Sequence, residues 1–147
     1  MNKGFTLIEL MISISIILIL MTFTFTTYSG FNRTVNKMDV DFFSNSMVNF
    51  INNSKQYSRI NNCSTNITFD TENKKIYLSD NSKIVKRLYV PKGFKLNTVN
   101  TSRGKDKIYI DNRGVTTDAC TIRYLDRMGG WHNISICVGS AYAEIKN

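Results

Sequence analysis

At 147 residues the chain has room for one compact domain and one extended element, and it carries a formal net charge of +8. Its 42% hydrophobic share is ordinary for a soluble protein, but that average blends two different objects. A single histidine, with no Gly-rich phosphate loop and no His/Cys ligand spacing, argues against an enzyme, a resident metal or any cofactor.

The first object runs from Phe5 to Tyr28, where Glu9 is the one ionisable residue and nearly all the rest is Ile, Leu, Met, Phe, Thr or Ser. As a helix it is about 36 Å long, enough for a hydrocarbon core of about 30 Å. A buried core helix fits poorly, because a small domain rarely hides a helix that is apolar all round. A secretory signal has a shorter apolar region and a small-residue cleavage site, which Thr27-Tyr28-Ser29 is not. Only the residues around Gly4 separate an unprocessed anchor from a processed one. Lys3 favours a cytoplasmic stub, and a long domain translocates largely regardless of its charge. The expectation is a single-pass segment in the cytoplasmic membrane, N-terminus in and the large domain outside.

The start of the span reads Lys3-Gly4-Phe5-Thr6-Leu7-Ile8-Glu9-Leu10. This stretch resembles the processing site of the type IV pilin-like, prepilin-type superfamily. The resemblance implies that a prepilin peptidase cuts between Gly4 and Phe5 and that Phe5 becomes N-methylated. It also implies that Glu9, then fifth in the mature chain, serves filament assembly with other pilin or pseudopilin subunits. Physical chemistry points the same way. A carboxylate at the centre of a membrane helix costs roughly 2.5–3.5 kcal/mol, and such residues are usually functional. Glu9 would lie about 6 Å below the new terminus, still partly wetted in a bilayer but not in a filament. A neighbour shifted by about one turn can offer it the positive amine of Phe5. Such a pair fixes axial register, because leaving either charge unpaired is costly.

Past Tyr28, apolar residues recur at Phe31, Val35, Met38, Phe42, Phe43, Met47, Phe50 and Ile51, with Asn, Lys, Arg and Asp between them. Gaps of three and four predict that the helix continues as an amphipathic element to about Tyr57 or Ser58, with Asn61-Asn62 ending it. All eight stripe residues are expected to pack as core. Gly30 and the stretch from Thr22 to Thr27 are its weak points, since Gly and β-branched residues are poor helix formers. Major subunits of the family often carry Pro near this point, where this chain has Thr26.

From Cys63 onward short runs alternate: 66–69, 75–79, 84–90, 94–100, 107–111, 119–125, 133–138 and 141–145. Turn signals such as Asp80-Asn81-Ser82, Pro91-Lys92-Gly93, Asp111-Asn112-Arg113-Gly114 and Met128-Gly129-Gly130 separate them. One long helix followed by short strands predicts an α+β protein with an antiparallel β-rich head. The expected organisation is a leader 1–4, a membrane and filament-core helix 5–28, an amphipathic half 29–60 and a β head 61–147. The stretch from Asp111 to Ile136 also resembles the minor pseudopilins related to the type II secretion H subunit, fimbrial FimT and competence ComGD. Many of those relatives have Gly-Arg after the last of these strands, where this chain has Gly139-Ser140. The resemblance implies a minor subunit that assembles into, or initiates, a type IV pilus, a type II secretion pseudopilus or a competence pseudopilus.

Cys63, Cys120 and Cys137 are disulfide candidates in an extracytoplasmic domain, with at least one left free. Cys120 and Cys137 flank a hairpin. The apolar face, however, reads Cys120, Ile122, Tyr124 on one strand and Ile134, Ile136, Val138 on the other, which turns Cys137 away unless a bulge intervenes. His132, beside a turn, reads as a surface residue. Only Lys3 and Glu9 precede residue 29, so the whole +8 charge lies beyond Tyr28. Lys83, Lys86, Arg87, Lys92, Lys95, Arg103, Lys105 and Lys107 cluster with one acid, Asp106, and with Tyr89 and Phe94. The alternative function is therefore a DNA-binding tip adaptor, with Lys83, Lys86, Arg87, Arg103, Lys105 and Lys107 tracking phosphates. No small-molecule substrate is expected.

Overall fold

The computed structural model describes residues 6–101, 106–136 and 143–146. One helix, α1 (Leu7–Ile60), precedes eight strands: β1 (Thr65–Asp70), β2 (Lys75–Asp80), β3 (Lys83–Tyr89), β4 (Lys95–Thr101), β5 (Lys107–Ile110), β6 (Cys120–Leu125), β7 (Trp131–Ile136) and β8 (Ala143–Lys146). The chain divides into two compact units, Met1–Lys37 and Met38–Asn147. The α+β, antiparallel expectation holds, and each expected run corresponds to an observed strand.

Within the first unit, the large apolar side chains from Leu7 to Met21 are exposed. The hydroxyls among them are satisfied by the helix itself. Ser13, Ser15, Thr24 and Thr27 each donate to the carbonyl four residues earlier, at 2.7–2.9 Å. This back-bonding lets Ser and Thr sit in an apolar environment without an orphaned donor. The Thr-rich stretch and Gly30 are helical, so the expected weak points cause no break. Among the described residues α1 is the one helix long and apolar enough to cross a membrane.

The helix ends as Asn61-Asn62 suggested. Asn62 takes φ 47°, its N–H reaches the carbonyl of Arg59, and the N–H of Cys63 reaches that of Ser58 at 3.0 Å. This is a Schellman cap with Asn in the left-handed position that Gly usually fills.

In the second unit the strands form two antiparallel sheets, ordered β3-β2-β1-β5 and β4-β6-β7-β8. Helix residues Val40, Phe43, Met47, Phe50 and Ile51 join Ile67, Phe69, Ile76, Leu78, Ile108 and Ile110 of one sheet and Ile122, Tyr124, Ile134 and Ile136 of the other in a single core. Phe43 meets Tyr124 edge-on at 5.0 Å and Phe94 at 5.7 Å, while Phe94 and Tyr124 stack. The Ser44 hydroxyl bonds Tyr124 Oη at 2.5 Å, which satisfies a phenol buried in this aromatic cluster.

The amphipathic stripe needs one correction. Phe43, Met47, Phe50 and Ile51 are buried, but Phe31, Met38 and Phe42 are 64%, 66% and 72% exposed. At about 100° per residue, Met38 and Phe42 fall on the side of the helix opposite Met47. Gaps of three and four connect residues within either stripe, so the sequence pattern merged two faces into one.

Candidate functional site

The helix start is built from Thr6 and Glu9. Glu9 Oε2 accepts from the Thr6 backbone N–H at 2.9 Å and from the Thr6 hydroxyl at 2.8 Å, while the Glu9 N–H donates back to Thr6 Oγ1 at 3.4 Å. This is a capping box, which satisfies donors that a helix end otherwise leaves open. The sequence reading missed it, although Thr6-x-x-Glu9 ahead of an apolar run is its signature. One carboxylate oxygen is therefore committed to the cap. Oε1 has no protein donor among the described residues. Gly4 and Phe5 lie outside the described residues.

Of the six candidate DNA contacts, the four among the described residues are spread over two strands. Lys83, Lys86 and Arg87 lie on β3 and Lys107 on β5, at opposite edges of one four-stranded sheet. That is three strand spacings, or about 14 Å. Arg87 pairs across from Tyr77, and Lys86 pairs across from the buried Leu78. Consecutive strand residues point to opposite faces, so these two cations diverge. Arg103 and Lys105 lie outside the described residues.

Cys63 and Cys120 are free thiols, and Cys137 lies outside the described residues. Cys120, Ile122 and Tyr124 are buried together with Ile134 and Ile136, and Cys120 pairs across from Ile136. The expected phase of that hairpin holds over these residues. Burial pushes the Cys120 thiol up to about 12, so it stays protonated and inert near neutrality. Burial, then the Asp80 carboxylate that accepts its S–H at 3.5 Å, also raises Cys63.

His132 is more than a surface residue. It is half-buried, stacks on Tyr124 at 5.1 Å, and bonds Asp126 Oδ2 at 3.0 Å. The other oxygen of Asp126 accepts the N–H groups of Met128 and Gly130. The pair thus ties the β6–β7 turn to the core, a structural task.

The outer face of the β3-β2-β1-β5 sheet, which sequence reading passed over, carries two adjoining grooves. One of about 490 Å³ is lined by Ser64, Thr65, Asn66, Asn81, Ser82, Tyr109, Ile110, Asp111 and Thr117. The other, about 320 Å³, shares Asn66 and Ser82 and adds Thr68, Tyr77, Ser79, Ile84 and Lys107. Strand alternation could have flagged the face, but no local motif could have flagged the grooves.

Comparison with known proteins bears on both units. Residues 1–25 match the family described as the prokaryotic N-terminal methylation motif. No curated protein matches in sequence. Among solved structures, the minor pseudopilin EpsH from the Type 2 Secretion System of Vibrio cholerae superposes with a TM-score of 0.56 at 8% identity. The superposition covers 72% of this chain and 94% of that one. The chain therefore combines a prokaryotic N-terminal methylation motif with the fold of a type IV pilin-like minor pseudopilin.

Proposed function

We propose that this chain is a minor structural subunit of a type IV pilus or pseudopilus, held in the cytoplasmic membrane before it is drawn into the filament. A prepilin peptidase removes residues 1–4, Phe5 becomes the methylated N-terminus, and the apolar half of α1 serves first as a single-pass anchor and then as filament core. The N-terminus faces the cytoplasm and the β head faces outward. Its partners are other pilin or pseudopilin subunits. EpsH is named as a part of the type II secretion system, and the shared fold supports a pseudopilus of that kind.

One observation carries the reading. A helix whose side chains from Leu7 to Met21 are exposed holds a lone carboxylate, and the capping box occupies only one of its oxygens. Apolar surface on that scale needs lipid or neighbouring helices around it. The Glu9 oxygen that takes no donor among the described residues suits the ammonium of a neighbour's Phe5, and water exclusion would make that pair selective for register. Exposed Met38 and Phe42 give the amphipathic half an apolar contact surface for a neighbouring subunit.

Glu9→Gln tests this directly, because it keeps a side-chain oxygen for the cap and removes the charge. The variant is expected to insert in the membrane and to lose its leader normally, yet to drop at least about a hundredfold in the sheared filament fraction, in line with an unpaired buried charge. Filament levels like those of the parent chain would overturn the assembly role of Glu9. Mass spectrometry of the mature chain checks processing separately: a chain still starting at Met1 in cells with active prepilin peptidase refutes it.

A further inference from the structure

We propose that the grooved outer face of the β3-β2-β1-β5 sheet is a binding site for a neutral oligosaccharide. This goes beyond the filament role and does not depend on it.

The face is assembled by register. Asn66 pairs across from Ser79 on one side and Tyr109 on the other, and Thr68 pairs across from Tyr77 and Lys107. Tyr77 and Tyr109 therefore flank β1, two strand spacings apart, about 10 Å. They give two ring surfaces on either side of a row of amides and hydroxyls. Asn66 is oriented within that row. Its Oδ1 accepts from the Ser79 hydroxyl at 2.6 Å and from the Thr68 hydroxyl at 3.4 Å. Its Nδ2 is left with no protein acceptor among the described residues. The phenols of Tyr77 and Tyr109, the Asn81 amide and the Ser82 hydroxyl likewise have no protein partner among the described residues. These groups can both donate and accept, which is what vicinal hydroxyls of a sugar require.

Charge selects the ligand class. In a chain of net charge +8, the two grooves contain, among the described residues, one cation, Lys107, and one acid, Asp111. Asp111 is already engaged by Arg113 and by the N–H groups of Arg113 and Val115. A phosphate polymer is held by several Lys or Arg side chains along its track; by register Lys75 and Arg87 share this face with Tyr77 but line neither groove.

The β2–β3 turn adds an independent sign. Asn81 and Ser82 have φ of 43° and 71°, a two-residue turn in which Asn-Gly is the relaxed choice. Ser is strained at the second position, yet the residue lines both grooves. Strain retained at a ligand-facing position is characteristic of binding sites.

The test is calorimetric titration of the full chain, in a detergent without a sugar headgroup, with maltohexaose, cellohexaose, chitohexaose and a dT decamer. At least one hexasaccharide is expected to bind saturably, with an affinity that does not change with salt. Asn66→Asp keeps the acceptor for Ser79 but removes the donor, and should weaken binding about tenfold, as should Tyr109→Ala. Ser82→Gly relaxes the turn, so it should weaken binding several-fold without lowering the melting midpoint. The proposal is overturned if no hexasaccharide binds, or if Asn66→Asp and Ser82→Gly bind as the parent does. It is equally overturned if only the decamer binds, with a steep salt dependence.

Discussion

The two units use the same residue types for opposite ends. In the N-terminal unit, Ser13, Ser15, Thr24 and Thr27 spend their hydroxyls on their own helix. In the head, Ser54 and Ser58 also bond back along the helix, but Ser44 reaches Tyr124 and Ser58 reaches Thr65, joining the helix to the strands. Glycine shows the same contrast. A Cβ on Gly30 would meet nothing within 4 Å, whereas one on Gly114, at φ 76°, would come 2.5 Å from the Lys55 carbonyl oxygen. A helix that must be at home in lipid has to be self-sufficient in its polar groups. A head that must hold one shape directs some of those groups between elements as well.

The largest expected effect comes from two adjacent phenylalanines. Phe43 is 1% exposed at the centre of the aromatic cluster, and Phe42 is 72% exposed. Phe43→Ala should destabilise the head by about 3–5 kcal/mol, and Phe42→Ala by less than about 0.5 kcal/mol. Urea unfolding followed by tyrosine near-UV dichroism reads both. If Phe42 serves assembly, its variant should instead lower the filament fraction.

Next is the glycine pair. Gly114→Ala should cost about 2–4 kcal/mol, through strain at positive φ and the collision with a helix carbonyl. Gly30→Ala should raise helix stability by about 1 kcal/mol, seen as greater helicity on heating. Equal effects at the two sites would erase the contrast between the units.

Smaller still is the hydroxyl pair. Ser44→Ala removes a partner of the buried Tyr124 phenol and should cost about 1–2 kcal/mol. Ser13→Ala should leave the unfolding of the head unchanged.

The smallest effect is a pH dependence confined to the head. Burial works to raise the Asp111 carboxyl, but hydrogen bonds from Val115 and Arg113 outweigh it and hold the group below the usual carboxylate value. A lowered native value means that Asp111 stabilises the fold above its unfolded value, and that this contribution is lost as pH falls through the native one. Asp111→Asn should therefore flatten the acid limb of the stability curve, and an unchanged limb would remove Asp111 from the account.

Much of this protein was legible locally. The apolar run, the end of the helix at Asn61-Asn62 and the eight strands follow from periodicity and turn chemistry, both short-range properties. The capping box was equally local, and Thr6 and Glu9 displayed it. The partition of the helix stripe was not local. Whether Phe42 or Phe43 faces the core depends on where the sheets lie, and both satisfy a three-or-four spacing. The layout of the basic segment was not local either, since residues near one another along the chain, Lys83, Lys86, Arg87 and Lys107, lie on different faces and edges of a sheet.

By itself, then, the sequence determined what each segment can be: an apolar helix with one carboxylate, an amphipathic continuation, and strands with defined inner faces. Only the tertiary structure decided which strands became neighbours. It set β5 beside β1 and sent β4 to the other sheet, and so brought Asn66, Ser82 and Tyr109 to one groove. The physical reason is that periodicity fixes which side of a strand is apolar, whereas pairing is settled by the packing of the whole core.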